Sequence, residues 1–341
     1  TQDPELRKNF QGKPEHLINF FRFIAMETRE IMAELGFRTF DEMVGRVDCL
    51  EVDNSKRHWK TKELDLSSIL YRPELPVRFG QRKTEEQRNK AISPLAEKLV
   101  QAAQPALEKG TKVEATFQVK NTDRTVGALL SGMVVKKWGS TGLPEDCIDF
   151  TFIGTAGQSF GAFAAPGITL RLFGDANDYV GKGLCGGKII IAPHPASSLT
   201  PDENIIAGNT LLYGATSGAA YISGRAGERF AVRNSGALAV VEGVGDHSCE
   251  YMTGGRVIIL GSTGRNFGAG MSGGIAYVFD ENEDFNLKCN FEMVELEPLT
   301  EIDRCFLKKV LERHVFYTNS PKGKRILENF AQLSVKFVRA I

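Results

Sequence analysis

"GRAGERFAVRNSGALAVVEG" (Gly224–Gly243) returns in outline as "GSTGRNFGAGMSGGIAYVFD" (Gly261–Asp280). Both stretches place glycine first and fourth, phenylalanine seventh (Phe230, Phe267) and a small residue eighth (Ala231, Gly268). Ser235-Gly236 and Ser272-Gly273 then precede an apolar run. Glycines in this arrangement serve either a phosphate cradle or the turns of a repeating fold.

The spacing of the apolar runs decides between them. "AAYIS" (219–223), "ALAVV" (237–241), "RVIIL" (256–260) and "IAYVF" (275–279) begin 18 or 19 residues apart, and "ITLRL" (168–172) and "KIIIA" (188–192) begin 20 apart. Strand, turn and glycine in fixed order at such a period mark a solenoid, in which each unit buries its apolar face only against its neighbours. The pattern predicts a mainly β fold, a parallel β-helix solenoid with flanking α-helices. Corner glycines such as Gly227 and Gly264 are expected at φ > 0. Phe160, Phe230 and Phe267 are expected to stack inside, and Tyr213 to stand in for the phenylalanine in "GNTLLYGATSG" (208–218).

Outside the repeats the chain reads as helical. Pro14 suits a first helical turn, and Leu17, Phe20, Phe21, Ile24, Ile31 and Leu35 follow as an apolar stripe up to a stop at Gly36. Thr39 with Glu42 fits a capping box. Residues 49–80 read as a linker, and 84–110 as helices broken near Pro94 and Pro105. From Gly127 to Gly274, which holds 29 of the 35 glycines, helix signals give way to strands. Thr300 with Asp303, and Ser320-Pro321, open further helices; these carry Ile302, Phe306, Val310, Ile326, Phe330 and Phe337. They are expected to cap an open end of the repeats over about 300–338, inside a domain of 77–341 that follows a segment of 1–76.

The 341 residues carry 42 basic and 42 acidic side chains. That balance removes the electrostatic case for nucleic acid or an anionic membrane, and no apolar run is long enough to span a bilayer. Six dispersed cysteines show no metal-binding spacing and read as reduced thiols of an intracellular protein. The chain begins at Thr1 with no signal peptide, which points to a processed chain or a piece of a longer one.

Several motifs invite a chemical reading. "GKGLCG" (181–186) satisfies G-x-G-x-x-G, yet a strand follows where a dinucleotide site needs a helix. "DHSCE" (246–250) brings Asp246, His247 and Cys249 together, but strand alternation would bury Cys249 as a small apolar residue. Asp175, Asp178, Arg225 and Arg233 would suit a carbohydrate-cleaving groove if they converged; turn and ladder roles outweigh that reading. His16, His58, His194 and His314 have no partner near in sequence.

"NDYVGKGLCGGKI", "GNTLLYGATSG", "GERFAVRNSGA", "GDHSCEYMTGG" and "GRNFGAGMSGGIAYV" resemble the Gly-x-Gly-x-Gly domain at the C-terminus of the glutamate synthase large subunit. Residues 1–46 resemble the tail of the FMN-binding synthase domain that precedes it. The resemblance implies a right-handed β-helix that holds glutaminase and synthase domains in register, inactive alone, within an oxidoreductase making glutamate from glutamine and 2-oxoglutarate. It implies FMN and an iron–sulfur cluster in the full enzyme, with the cluster cysteines upstream of Thr1-Gln2-Asp3. No catalytic, cofactor-binding or metal-binding residue is assigned to this chain. The implied partners are the other domains of the subunit and an electron-donor subunit or ferredoxin, with no nucleic acid and no membrane. The implied location is the cytoplasm, or the plastid in a photosynthetic eukaryote. Two other readings stay open: an interaction subunit of another oxidoreductase, such as formylmethanofuran dehydrogenase, and a β-helix carbohydrate-active enzyme. Residues 1–46 argue against the first, and a groove of convergent carboxylates would favour the second.

Overall fold

The computed structural model describes residues 4–53, 55, 58–61, 63–74, 76, 80, 82–85 and 93–341. The expectations for Thr1-Gln2-Asp3 and for a helix across 86–92 fall outside them. The chain divides into two compact units, Thr1–Ala91 and Ile92–Ile341.

The first unit is helical. Its elements are α1 (Pro4–Lys8), α2 (Pro14–Glu34), α3 (Phe40–Met43) and α4 (Ser67–Leu70). Pro14 opens α2, and Gly36 follows its end at φ +79°. Thr39 caps α3 by accepting from the Glu42 N–H, while the Glu42 carboxylate accepts from the Arg38 N–H instead of closing the box on Thr39. The whole predicted stripe of α2, Leu17 to Leu35, is exposed.

The second unit is built on one sheet, mostly parallel, with flanking helices. In chain order it comprises α5 (Pro94–Ala102), α6 (Gln104–Lys109), β1 (Val113–Val119), α7 (Ala128–Trp138), β2 (Ile148–Ala156), β3 (Ile168–Ala176), β4 (Cys185–Ala192), β5 (Ile205–Ala207), β6 (Ser217–Ile222) and β7 (Arg225–Ala226). Then follow β8 (Ser235–Val241), β9 (Thr253–Ile259), β10 (Gly273–Phe279), β11 (Leu296–Pro298), α8 (Glu301–Thr318), α9 (Pro321–Glu328), α10 (Phe330–Leu333) and β12 (Phe337–Ala340). The strand order is β1-β2-β3-β4-β6-β8-β9-β10-β12-β11, and every pair up to β10 is parallel.

Register carries the near-20-residue period into space. Phe150, Leu170, Ile189, Ala220, Ala239, Val257 and Ala276 lie side by side across seven strands, and all are buried in one core. Their chain neighbours Ile190, Tyr221, Val240, Ile258 and Tyr277 form a column on the opposite face, under Leu307, Val310 and Leu311 of α8 and Ile326 of α9. Both faces are covered, which is why these strands read as continuous apolar runs rather than alternating ones. Leu99 of α5, Leu107 of α6, and Leu130 and Val134 of α7 join the first core at one end. Phe285 packs against Phe267 at the other, with ring centroids 5.0 Å apart.

Before each of these strands except β2 the chain turns through the same corner. Six segments place left-handed residues at alternate positions: Ser159/Gly161/Phe163, Tyr179/Gly181/Gly183, Thr210/Leu212/Gly214, Arg229/Ala231/Arg233, His247/Cys249/Tyr251 and Asn266/Gly268/Gly270. All lie at φ between +53° and +72°. The middle N–H reaches back one repeat, as Gly181 to the Phe160 carbonyl or Ala231 to Leu211. The outer two reach forward, as Arg229 to Asp246 and Arg233 to Glu250. Glycine suits such positions, but other residues hold most of them here. A left-handed conformation costs an L-residue about 1–2 kcal/mol, and each ladder hydrogen bond contributes about 0.5–1.5 kcal/mol against that cost.

The structure corrects several sequence expectations. Phe160, Phe230 and Phe267 are buried in one inner column, but not as neighbours: hydrogen bonding orders it Phe160, Val180, Leu211, Phe230, Ser248, Phe267. Leu211, not half-buried Tyr213, fills the phenylalanine place. Ser235 and Ser272 do occupy matching corners, each bonding to the repeat before it through the Ala215 and Met252 carbonyls. Gly227 and Gly264 are not at positive φ; what they need is room. A Cβ on Gly264 would lie 2.4 Å from the Asp246 backbone nitrogen, and one on Gly227 would lie 2.9 Å from the Gly208 carbonyl oxygen. Helix signals do not vanish after Gly127, because "ALLSGMVVKKW" forms α7. Strand β1 escaped the sequence reading as well. Phe337 belongs to β12, antiparallel to β10, rather than to a helix. The terminal helices lie on a face of the sheet, not at its end, because the Tyr221–Tyr277 column needs covering there.

Gly264→Ala should lower stability by about 1–3 kcal/mol through this overpacking. Gly132→Ala, in α7 with nothing near its added methyl, should raise it by up to about 1 kcal/mol. Denaturant midpoints of the two variants moving in the same direction would contradict this.

Candidate functional site

The glycine motif "GKGLCG" leads from the corner at Gly181 and Gly183 straight into β4. With no helix behind it, its N–H groups serve the ladder: Gly181 bonds to Phe160 and Gly183 to Tyr213. The arrangement holds neighbouring repeats, not a phosphate.

Asp246, His247 and Cys249 diverge. The Asp246 carboxylate accepts from the backbone N–H of Arg265 at 3.0 Å and from its Nε at 2.8 Å. The backbone hydrogen bond, then the guanidinium, hold this carboxyl below its ordinary range. His247 Nδ1 lies 2.7 Å from a carboxylate oxygen of Glu250. Cys249 is fully buried, and that burial pushes its thiol well above the ordinary value. A thiol held protonated in the core is not a nucleophile.

Asp175, Asp178, Arg225 and Arg233 form no groove. Asp178 accepts from the Asn209 N–H of the following repeat at 2.7 Å, and the Asn209 side-chain oxygen in turn accepts from the Glu228 N–H at 2.8 Å. Asp175 is exposed and lines a cavity of about 270 Å³ with Ile153, Phe173, His194 and Leu199. Arg225 lies beside Gly243 with its Nε buried and unpartnered. Arg233 is exposed and lies over the Tyr251 ring, 5.7 Å from its centre. Among the described residues, no group of three or more His, Cys, Asp or Glu side chains is arranged to hold a metal ion.

The concentrated polar chemistry sits where α8 and α9 meet the sheet. Lys188, nearly buried on β4, donates to Glu145 at 2.8 Å, to Asp146 at 3.0 Å and to the Tyr317 hydroxyl at 3.1 Å. Burial alone would lower its pKa; hydrogen bonds to Glu145, Tyr317 and Asp146 outweigh that and raise it. Asp146 follows the same logic in reverse: burial opposes its charge, and the Thr169 hydroxyl and Lys188 overcome it, holding the carboxyl low. Beside them Arg171 grips Asp149 through two bonds of 2.7 and 2.8 Å and faces the Tyr317 ring.

Two further clamps complete the seam. The Tyr277 hydroxyl of β10 donates to Asp303 at 2.7 Å, and the same carboxylate closes the predicted capping box with Thr300. Glu242, just past β8, accepts from the hydroxyl of Ser320, the N-cap of α9, and lies 3.4 Å from His314 Nε2. All three residues are buried, and the His314 ring faces that of Tyr221 at 6.4 Å between centres, inclined by 28°. Sequence reading found nothing at His314, because its partner Glu242 is 72 positions away. Each of these groups can hold a helix in place; Glu242, His314 and Ser320 are closed to solvent, while Glu145, Asp146 and Lys188 also line an open cavity of about 300 Å³ with Leu143 and Thr169.

The GXGXG motif family model matches residues 96–341, and a model described as a conserved region in glutamate synthase matches residues 1–38. The whole chain aligns at 54% identity with "Glutamate synthase [NADH]" of Schizosaccharomyces pombe, covering 16% of it. It aligns at 51% with "Glutamate synthase [NADPH] large chain" of Bacillus subtilis and at 46% with "Ferredoxin-dependent glutamate synthase 2" of Synechocystis, covering 22% of each. The chain thus spans about a fifth of the length of these relatives.

A maleimide should label exposed Cys49 and Cys305 quickly in the native chain, and Cys147 and Cys249 only on unfolding. Rapid native labelling of Cys249 would show that its corner opens. Asp146→Asn tests the Lys188 clamp, since asparagine tolerates the φ of +55° found there. A depressed carboxyl stabilises the fold above its unfolded pKa of about 3.9 and stops doing so as pH falls through the folded value. The variant should therefore be less stable than the parent at neutral pH, with the difference shrinking as pH falls below the unfolded value of about 3.9 and through the folded one. A constant difference across that range would rule the charge out as the cause.

Proposed function

The chain belongs to the GXGXG-motif family in the form it takes in glutamate synthases, and from that membership we propose that it is the structural portion of such an enzyme's large subunit, inactive alone. The observation that carries this reading is where the polar side chains go. The Lys188, Asp303 and Glu242 clusters bind helices to sheet, and the motif glycines serve the inter-repeat ladder.

In this reading the second unit is a right-handed parallel β-helix. The parallel register at a near-20-residue period supports it, as do the corner hydrogen bonds reaching to the repeats before and after. Residues 1–76 are the tail of an FMN-binding synthase domain with its linker, and 77–341 the β-helix domain. The model match over residues 1–38 supports the first, and the exposed stripe of α2 is the side we assign to the rest of that domain. FMN, the iron–sulfur cluster, the glutaminase and the 2-oxoglutarate site belong to the remainder of the polypeptide.

Relatives named for NADH, NADPH and ferredoxin all align along the whole chain. The region is therefore common to the three types, and in this reading donor choice is assigned to other parts of the enzyme. No helix among the described residues is long and apolar enough to cross a membrane. We place the protein in the cytoplasm, or in the plastid of a photosynthetic eukaryote, as the chloroplastic names of the spinach and Arabidopsis relatives suggest.

Supplied with FMN, glutamine and 2-oxoglutarate, the isolated chain should form no glutamate and show no rise in melting temperature. Stoichiometric flavin binding in a fluorescence titration would overturn the scaffold reading.

A further inference from the structure

The third positions of the six corners line up in one column, Phe163, Gly183, Gly214, Arg233, Tyr251 and Gly270, whose non-glycine members are exposed and whose N–H groups up to Tyr251 bond forward to the next repeat. Glycine satisfies this corner in half of the column. Phe163, Arg233 and Tyr251 keep large side chains at φ of +58°, +57° and +53°, against the local preference of an L-residue. Burial does not explain them, since Phe163 is 52% and Tyr251 54% exposed. Tyr179, a left-handed first-position residue, is exposed as well.

The rings are held rather than loose. A Cβ on Gly183 would come within 2.6 Å of the Phe163 ring, and one on Gly270 within 2.6 Å of the Tyr251 ring. Each aromatic therefore lies against the glycine of the next repeat and leaves its outer face to solvent. Arg233 sits over Tyr251 at 5.7 Å and Lys182 over Tyr179 at 5.6 Å. Among the described residues Lys182, Arg229 and Arg233 form no ion pair with a carboxylate. Nearby Asp246 and Glu250 are already engaged by Arg265 and His247, which leaves Glu228 as the uncommitted acid. Rigid tyrosines beside arginine are the side chains that dominate protein interfaces, because little freedom is lost on docking.

We propose that this corner face is a docking surface, and that its occupant is an acidic face of the same polypeptide outside residues 1–341; the proposal rests on the scaffold reading above. The chain spans only 16–22% of the relatives it matches, so most of such a polypeptide remains to cover it. The unpaired cations call for carboxylates on the occupant.

Hydroxyl-radical footprinting of this chain and of the full-length subunit tests it. Phe163, Tyr179 and Tyr251 should be oxidised several-fold more slowly in the subunit. Arg233→Glu in the subunit should restore oxidation of Tyr251, while the same change leaves the melting temperature of the chain alone nearly unaltered. Protection elsewhere on residues 93–341 but not at these rings would overturn the surface and leave the scaffold reading standing. Protection nowhere on those residues would overturn both. Protection that appears in the chain alone as its concentration rises would assign the face to a second copy, and protection that survives Arg233→Glu would remove the acidic partner; either result overturns the proposal.

Discussion

Three left-handed steps per repeat, with N–H groups bonded alternately to the repeat before and the repeat after, hold this molecule together. Each such residue is unfavourable by itself. The bonds that offset the cost exist only when the neighbouring repeat is already in place, so a corner and its neighbours form together or not at all. That mutual dependence is the nearest-neighbour coupling that makes repeat architectures cooperative. It also explains why glycine is optional at positions such as Ala231 and Arg233: the ladder imposes the conformation, and glycine only makes it cheaper.

From the corners the chain enters strands whose two faces meet different neighbours. One face closes on the Phe160–Phe267 column and the rest of the inner core. The other carries Tyr221, Val240, Ile258 and Tyr277, which would be a bare apolar strip without α8 and α9. The helices are bound to that strip by polar clamps as well as by packing. Lys188 and Tyr277 are not spare chemistry within the core. They fix the angle and position at which the helices lie, a specificity that apolar packing alone supplies less strictly. A surface made rigid in this way can hold other domains at set distances, which is what the proposed scaffold role requires.

Much of the repeating part was legible in the residues. The near-20-residue period, the parallel strands at "KIIIA" and "RVIIL", the inward phenylalanines and the capping box at Thr300 all follow from local pattern. The misread glycines share one cause. A glycine at a close backbone approach, as at Gly264, and a glycine at positive φ, as at Gly181, look alike in a sequence. Likewise "ALLSGMVVKKW" between glycines resembles a buried strand until its length and surroundings are known.

By itself the sequence determined the period, the order of strand and turn, the family and the helical ends, because these depend on residues close together in the chain. Only the tertiary structure decided which residues fill the inner column, where the terminal helices lie, and that Glu242 meets His314 and Lys188 meets Tyr317. Those pairings span 72 and 129 positions, and no local pattern encodes them. They arise because stacking the repeats brings distant side chains to a seam where a buried charge must find a partner.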